Sequence, residues 1–216
     1  HRGSSAASDV YKRQGLFQAV IDGSRIDINP FVIPPEQLTR WMRKAWKRQF
    51  PNRSRGPPVS HKVDSLSLLP ADLDLSGIEI ELAMRIGREH RLRIALEGAM
   101  EQFDLIIIDT PASLGLLTVN ALTAADWLLI PIQAEFYALE SMGQLLDTLQ
   151  KVQSRVNPSL KLLGISMTMV QTGSNLGKMV GDSALRHFGE RILRTSIPRS
   201  VSIAEAPLSG LSLIHI

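Results

Sequence analysis

The feature that most constrains this chain is the alternation of short, continuously apolar segments with longer segments of helical periodicity. The pattern predicts strands at Ser65–Leu69, Leu105–Asp109, Trp127–Pro131, Leu160–Met167 and Ile192–Ile197. It predicts helices at Leu75–Met84, His90–Met100, Leu116–Ala125, Phe136–Val156 and Leu176–Phe188. Strands that are apolar on both faces are typical of a parallel sheet buried between helices. We therefore expect an α/β fold, with a mostly parallel sheet flanked by helices on both faces.

Positive charge is concentrated in one segment of the chain. The net charge is only +3, yet residues 40–62 hold eight basic side chains and no acidic one. Apolar residues recur at helical spacing from Leu38 to Trp46, which predicts a basic amphipathic helix ending near Pro51. Three interpretations are open: a DNA-binding surface, a solvated helix face, or a surface for a membrane or partner. The candidate DNA contacts are Arg40, Arg43, Lys44, Lys47 and Arg48.

Composition excludes several classes of protein. The sequence has no cysteine, which excludes disulfides, thiolate metal sites and a cysteine nucleophile. No apolar run approaches the ~18–20 residues that a membrane-spanning helix needs.

Both ends of the sequence differ in character from the rest. The segments DVYKRQ and LSLIHI resemble translated sequencing-adapter tails, so residues 1–14 and 211–216 are predicted to be non-native. The remaining residues 15–210 are predicted to form a single domain, with a basic helical insertion at about 35–62.

Asp109 is the first candidate for a catalytic or metal-binding residue. It follows four aliphatic residues, Leu105–Ile108, and ligands of parallel sheets bind where the strands end. This is the Walker B form, in which the carboxylate holds Mg²⁺, often through water. The residues alone leave a helix-capping or turn role open as the alternative.

The residues around Asp109 resemble a known family. FDLIIIDTPASLGLLTVNALTAADWLLIPIQAEFYALESMGQLLDTL is similar to ParA/Soj-type chromosome- and plasmid-partitioning ATPases, members of the deviant Walker A P-loop family, and the resemblance extends over roughly 63–210. It implies a P-loop NTPase fold, ATP and Mg²⁺ as cofactors, and a homodimer that binds nonspecific DNA. It also implies hydrolysis stimulated by a ParB-like centromere-binding protein, in the nucleoid-associated cytoplasm of a bacterium.

The resemblance also assigns roles to individual residues. Asp109 matches the Walker B aspartate, and Thr110, Pro111 and Ala112 match the second switch loop, with Ala112 replacing a usual second proline. The segments matched to the dimer interface contain Gln133, Glu135 and Phe136. Those matched to adenine binding contain Met167, Met169, Gln171, Pro198 and Arg199, and Arg199 is also a candidate DNA contact.

Two departures from the family bear on activity. No GxxxxGK[ST] motif occurs, and GSNLGK at Gly173–Lys178 has the wrong spacing. The resemblance implies that the phosphate-binding loop and first switch lie upstream, so this chain as written is predicted not to hydrolyse ATP. A second departure concerns DNA binding, since Gly173 and Ser202 replace arginines that are frequent in the family's DNA-binding loops.

Three functions remain as alternatives to a partitioning ATPase. They are a MinD-like membrane-cycling positioning ATPase, a metabolic or cluster-assembly P-loop protein, and a noncatalytic P-loop scaffold.

Overall fold

A computed structural model of the chain describes residues 67–69, 77–111, 113–171 and 175–205. The chain divides into two compact units, of which the second contains 67–69 and 198–205 and the first contains the other described residues. The α-helices are α1 (Ile78–Ala83), α2 (Arg91–Leu96), α3 (Leu116–Ala124), α4 (Phe136–Arg155), α5 (Asn175–Phe188) and α6 (Val201–Glu205). Short 3₁₀ helices span Arg88–His90 and Gly189–Arg191. The strands are β1 (Trp127–Gln133) and β2 (Lys161–Thr168).

Strands β1 and β2 pair in parallel, joined by the long crossover helix α4. The register matches Trp127 with Lys161 and Gln133 with Thr168, with one irregularity after Leu128. Apolar residues form most of β1 and half of β2, as expected for a half-buried pleated surface. The parallel pairing and the crossover helix confirm the predicted α/β class.

The predicted last strand, Ile192–Ile197, takes a less regular form. A single parallel bridge joins Ile192 to Ile165 of β2, and Leu193 N–H donates to Ile165 O at 2.8 Å. Ile197 N–H then donates to Met167 O at 2.8 Å. The segment therefore runs beside β2 with isolated hydrogen bonds, and the expectation of a continuous strand there is wrong. A ladder forms only where successive backbone groups stay in register.

The core of the sheet lies on the face that β1 and β2 share with α4 and α5. It consists of Ile130, Ile132, Met142, Ile165, Met167, Val180 and Ala184. Alternate residues of β1 point the other way, and there the Trp127 side chain is 55% exposed and Leu129 is 48% exposed. The period of two along a strand separates these faces. Among the described residues, the helices that contribute to this core all lie on one face.

The predicted strand Leu105–Asp109 is absent as a strand. Residues 105–111 form neither a helix nor a strand, and Leu105 and Ile107 are 75% and 83% exposed. A β-strand requires a hydrogen-bonded neighbour, and none of the described residues pairs with this segment. Residues 105–108 are apolar, but the prediction that they form a buried strand is wrong.

Helix boundaries follow local signals. Helices α3, α4 and α5 confirm the predicted helices to within a residue or so at each end. The helix predicted over His90–Met100 is shorter: α2 spans Arg91–Leu96 and ends before Gly98. The 3₁₀ helix Arg88–His90 precedes it and begins after Gly87, which adopts a left-handed φ of 65°. Glycine disfavours continuation of a helix. The stub at Gly15–Val20 and the basic helix with Arg40, Arg43, Lys44, Lys47 and Arg48 lie outside the described residues.

None of the helices in the described part of the chain is both long and apolar enough to cross a membrane.

Candidate functional site

The carboxyl ends of β1 and β2 lie at one edge of the sheet, where two hydrogen bonds join them. Ala134 N–H donates to Thr168 O at 3.0 Å, and the Thr168 hydroxyl donates to Ile132 O at 3.0 Å. Exposed polar side chains, Gln133 and Glu135, follow immediately. Because ligands of parallel sheets bind at this edge, the residues after β1 and β2 form one side of the candidate site.

The predicted interface residues begin α4. Glu135 occupies the N-cap position with an extended backbone but makes no side-chain capping bond, and its N–H donates to Gln133 O at 2.8 Å. Both Gln133 and Glu135 are exposed, and Phe136 is the first residue of the helix. The turn between β1 and α4 therefore presents two polar side chains to solvent beside the strand ends.

The residues predicted to approach adenine divide into buried and exposed ones. Met167 lies in the hydrophobic core, whereas Met169 is exposed and adopts a left-handed φ of 55°. A non-glycine residue in that region is uncommon and marks a backbone held by its surroundings. Here Val170 N–H donates to Ile197 O at 3.1 Å, which fixes the chain just after Met169. Gln171 is also exposed.

Pro198 and Arg199 belong to the second compact unit and are both exposed. They precede α6, whose first turn is closed by Ile203 N–H donating to Ser200 Oγ at 3.4 Å. Arg199 thus presents a guanidinium to solvent, directly before a helix.

Asp109 is exposed at the end of the apolar segment 105–108. Thr110 and Pro111 are exposed as well, and Ala112 lies outside the described residues. In the described part of the chain, no three His, Asp or Glu side chains are grouped so that they could hold a metal ion. Mg²⁺ commonly binds through one or two carboxylates, with water and phosphate oxygens completing its shell. A single accessible carboxylate at Asp109 fits that donor set.

The loop after Asp109 is anchored where it enters α3. The Thr118 hydroxyl donates to Ser113 O at 2.6 Å, and Leu117 N–H donates to Glu79 Oε1 at 3.1 Å. Glu79 comes from α1, far earlier in the sequence, and sequence reasoning missed it. The available signal was Gly115, which sits where a helix normally carries Ser, Thr, Asp or Asn.

Two buried asparagines fix the rest of α3, and sequence reasoning missed both. Asn120 Nδ2 donates to Arg88 O at 2.8 Å, and its Oδ1 accepts from Leu92 N–H at 3.1 Å. Asn157, 2% exposed, donates from Nδ2 to the carbonyls at the end of the helix. Helix α3 therefore joins the Asp109 loop at one end to the β1–β2 sheet at the other.

A shallow cleft lies elsewhere on the first unit. It has a volume of about 360 Å³ and is lined by Leu146, Asp147, Leu149, Gln150, Gln153, Leu162 and Arg191. None of the predicted site residues lines it. The predicted site residues lie instead after β1 and β2 and at the end of the apolar segment 105–108, and no backbone hydrogen bond between described residues joins these two places.

Comparison with known proteins points to one group of relatives. A sequence profile for a family described as an AAA domain (AAA_31) matches residues 55–162. The sporulation initiation inhibitor protein Soj of Bacillus subtilis is 46% identical over 152 residues, covering 70% of this chain and 60% of Soj. The chromosome-partitioning ATPase Soj of Thermus thermophilus is 46% identical over 162 residues, covering 74% of this chain and 63% of that protein. The chain thus spans about 60% of the length of these curated relatives.

Solved structures give the same fold. A Mycobacterium smegmatis protein described as cobyrinic acid a,c-diamide synthase, with a bound ATP analogue and magnesium, superposes with a TM-score of 0.61 at 29% identity. That match covers 97% of this chain and 88% of the other. McdA of Cyanothece superposes with a TM-score of 0.65 at 23% identity over 70% of this chain and 62% of McdA, which shows the fold alone.

Proposed function

This chain belongs to the ParA/Soj-type partitioning ATPase family, and on that premise we propose that it is part of an ATP- and Mg²⁺-switched dimer that segregates chromosome or plasmid DNA. The observation that carries the proposal is the position of Asp109. Its carboxylate is accessible at the end of an apolar segment, and Ser113, four residues later, accepts a hydrogen bond from Thr118 of α3. An accessible carboxylate near the start of a helix suits a cation beside a triphosphate.

Asp109 would hold the Mg²⁺ ion, directly or through water. When bound with ATP, the ion supplies positive charge that offsets the charge of the phosphate oxygens. Thr110, Pro111 and Ala112 would form the second switch loop. Gln133, Glu135 and Phe136, which follow β1, would border the dimer interface. Met169 and Gln171, with Pro198 and Arg199, would approach the adenine, while Met167 would support that segment from the core.

Partner binding completes the proposal. The dimer would bind nonspecific DNA in the nucleoid, and a ParB-like protein would stimulate hydrolysis. We assign DNA contact to the basic residues Arg40, Arg43, Lys44, Lys47 and Arg48, with Arg199 as a further contact. Each phosphate contact adds roughly one unit to the slope of log affinity against log salt. Reversing the charge of Arg43, Lys44 and Lys47 should reduce that slope, and an unchanged slope would contradict the assignment.

The decisive experiment supplies a phosphate-binding loop. We propose that this chain alone does not turn over ATP, because it contains no GxxxxGK[ST] motif. A chimaera that joins the front part of B. subtilis Soj to this chain should hydrolyse ATP in a Mg²⁺-dependent manner. Asp109→Ala in the chimaera should abolish turnover, while Asp104→Ala, an exposed carboxylate at the start of the same segment, serves as the matched control. Equal turnover in both variants would contradict the proposal.

The M. smegmatis relative raises a metabolic alternative. Over 76% of this chain it is 35% identical, whereas the partitioning relatives are 46% identical over 70% and 74% of this chain. The higher identity supports partitioning. Stimulation of the chimaera by a ParB-like protein and DNA would support it further, whereas amide synthesis by the chimaera would favour the alternative.

A further inference from the structure

Helix α3 lacks a cap from its own sequence. The first backbone N–H groups of any helix have no acceptor within the helix. In most helices a Ser, Thr, Asp or Asn side chain at the N-cap supplies one. Here the N-cap is Gly115, which has no side chain, and no capping bond arises locally.

A remote carboxylate provides the missing acceptor. Leu117, the second residue of α3, donates its N–H to Glu79 Oε1 at 3.1 Å. A capping side chain usually bonds to this position or the next one. The negative charge of Glu79 also lies at the positive end of the helix dipole, which is a favourable arrangement.

Gly115 makes room for this carboxylate. Its backbone angles, φ −80° and ψ −173°, are open to any residue, so glycine is not required for conformation. A Cβ atom built at this position would overlap Glu79 Oε1. The absence of a side chain at Gly115 therefore removes the local capping group and also leaves the space that the Glu79 carboxylate occupies as the acceptor.

The backbone of Glu79 is held in place by its neighbours. Ile78 and Leu82 are fully buried, and they pack with Leu116 and Leu117 at the start of α3. A carboxylate on such a fixed helix needs little additional ordering to reach its partner.

From these contacts we propose that Glu79 is the remote cap of α3 and thereby a positioning residue for the loop that carries Asp109. The capping contact stands on the structure alone, and only its effect on nucleotide chemistry rests on the proposed function. Glu79 acts by fixing Leu117 at the start of α3, where Thr118 also fixes Ser113, so that the segment that follows Asp109 enters α3 at a defined point.

The first test measures amide hydrogen exchange across residues 113–118 in the full chain. Glu79→Ala should speed exchange at Leu117 roughly fivefold, because the Leu117 N–H loses its acceptor and the helix loses its cap. Glu79→Gln keeps an acceptor oxygen and should restore most of the protection. Glu81→Ala is the matched control, since Glu81 lies on the same helix with an exposed side chain. Equal exchange in the Glu79→Ala and Glu81→Ala variants would overturn the proposal.

The second test asks whether Gly115 and Glu79 act together. Gly115→Ala should displace the flexible carboxylate and speed exchange at Leu117 about as much as Glu79→Ala does. If both variants break the same contact, the double variant adds little to either single one. Fully additive effects would mean that Gly115 does not make room for a cap, which would overturn the pairing.

The functional arm uses the Soj chimaera and separates the two claims. Glu79→Ala should lower ATP turnover with less effect on nucleotide affinity, because a displaced loop misplaces Asp109, and Glu79→Gln should recover it. If Asp109→Ala leaves turnover intact, the proposed function fails while the exchange result stands. If Asp109→Ala abolishes turnover and Glu79→Ala behaves like Glu81→Ala, the positioning role alone is overturned.

Discussion

Two segments of this chain have the same sequence character and different structures. Residues 105–108 and 127–132 are both apolar, and each is followed by a polar residue, Asp109 or Gln133. The second segment is strand β1, paired with β2 and packed on α4 and α5. The first segment is exposed and forms no strand with any described residue.

The comparison shows that a buried strand has two requirements, apolar side chains and a neighbouring strand, and that an apolar run in the sequence reveals only the first. Apolar side chains determine that a segment gains free energy by burial, and that preference is local. A strand also needs backbone hydrogen bonds from a neighbour, and that neighbour comes from elsewhere in the fold. For β1 the neighbour is β2, some thirty residues later, which is present and in register. For residues 105–108 no such neighbour exists among the described residues, and Leu105 and Ile107 are largely exposed.

Matched truncations in the two segments test this comparison most strongly. Ile165 is fully buried in the β1–β2 core, so Ile165→Ala should lower the free energy of unfolding by about 2–5 kcal/mol. Ile107 is exposed, so Ile107→Ala should change it by less than about 0.5 kcal/mol. Urea denaturation followed by far-UV circular dichroism measures both. A large loss from Ile107→Ala would show that the 105–108 segment is buried and would break the comparison.

Asn157 gives the next largest expected effect, at the sheet end of α3. Its side-chain amide donates to Leu122 O at 3.0 Å, Thr123 O at 3.2 Å and Ala125 O at 2.8 Å. Asn157→Ala leaves these buried carbonyls short of donors and should cost about 1–3 kcal/mol. Ser154→Ala is the control, because the exposed Ser154 hydroxyl donates to Lys151 O within α4 and does not contact Asn157. Equal losses in the two variants would indicate that the amide does not hold α3 to the sheet.

The parts of the fold that sequence predicted are those governed by local signals. The 3.6-residue periodicity of Phe136–Val156 anticipated α4, and the apolar runs anticipated β1 and β2. The site was predictable only in outline. Asp109 could be singled out because it follows an apolar run, but its exposure depends on strand pairing that the run does not encode. Glu79, Asn120 and Asn157 form bonds across 28 residues or more, and no local pattern signals them.

A contact on the exposed face of β1 should have a smaller effect on the stability of the β1–β2 sheet. Lys161 Nζ lies 5.3 Å from the centre of the Trp127 ring, and the two residues are paired in the register. A cation over an exposed indole contributes about 0.5–1 kcal/mol. Lys161→Met keeps the aliphatic stem and should lose that amount in urea unfolding, while Lys151→Met, an exposed lysine on α4, should lose less. Identical stabilities would mean that the cation does not contribute at this edge.

The smallest effect is expected before α2, at the ion pair between Arg88 Nε and Glu89 Oε1, 3.1 Å apart. A backbone hydrogen bond, with the help of Arg88, lowers the pKa of Glu89 below its usual 4.5. Because the folded-state pKa is the lower one, the stabilisation is present above the unfolded-state pKa and is lost as the pH falls through the folded-state value. Both side chains are substantially exposed, so solvent screening limits the contribution to about 0–1 kcal/mol. Glu89→Gln should therefore lower the urea midpoint slightly at pH 7 and not at all near the acid end of the titration. A difference that persists undiminished in acid would show that the carboxylate charge is not its source.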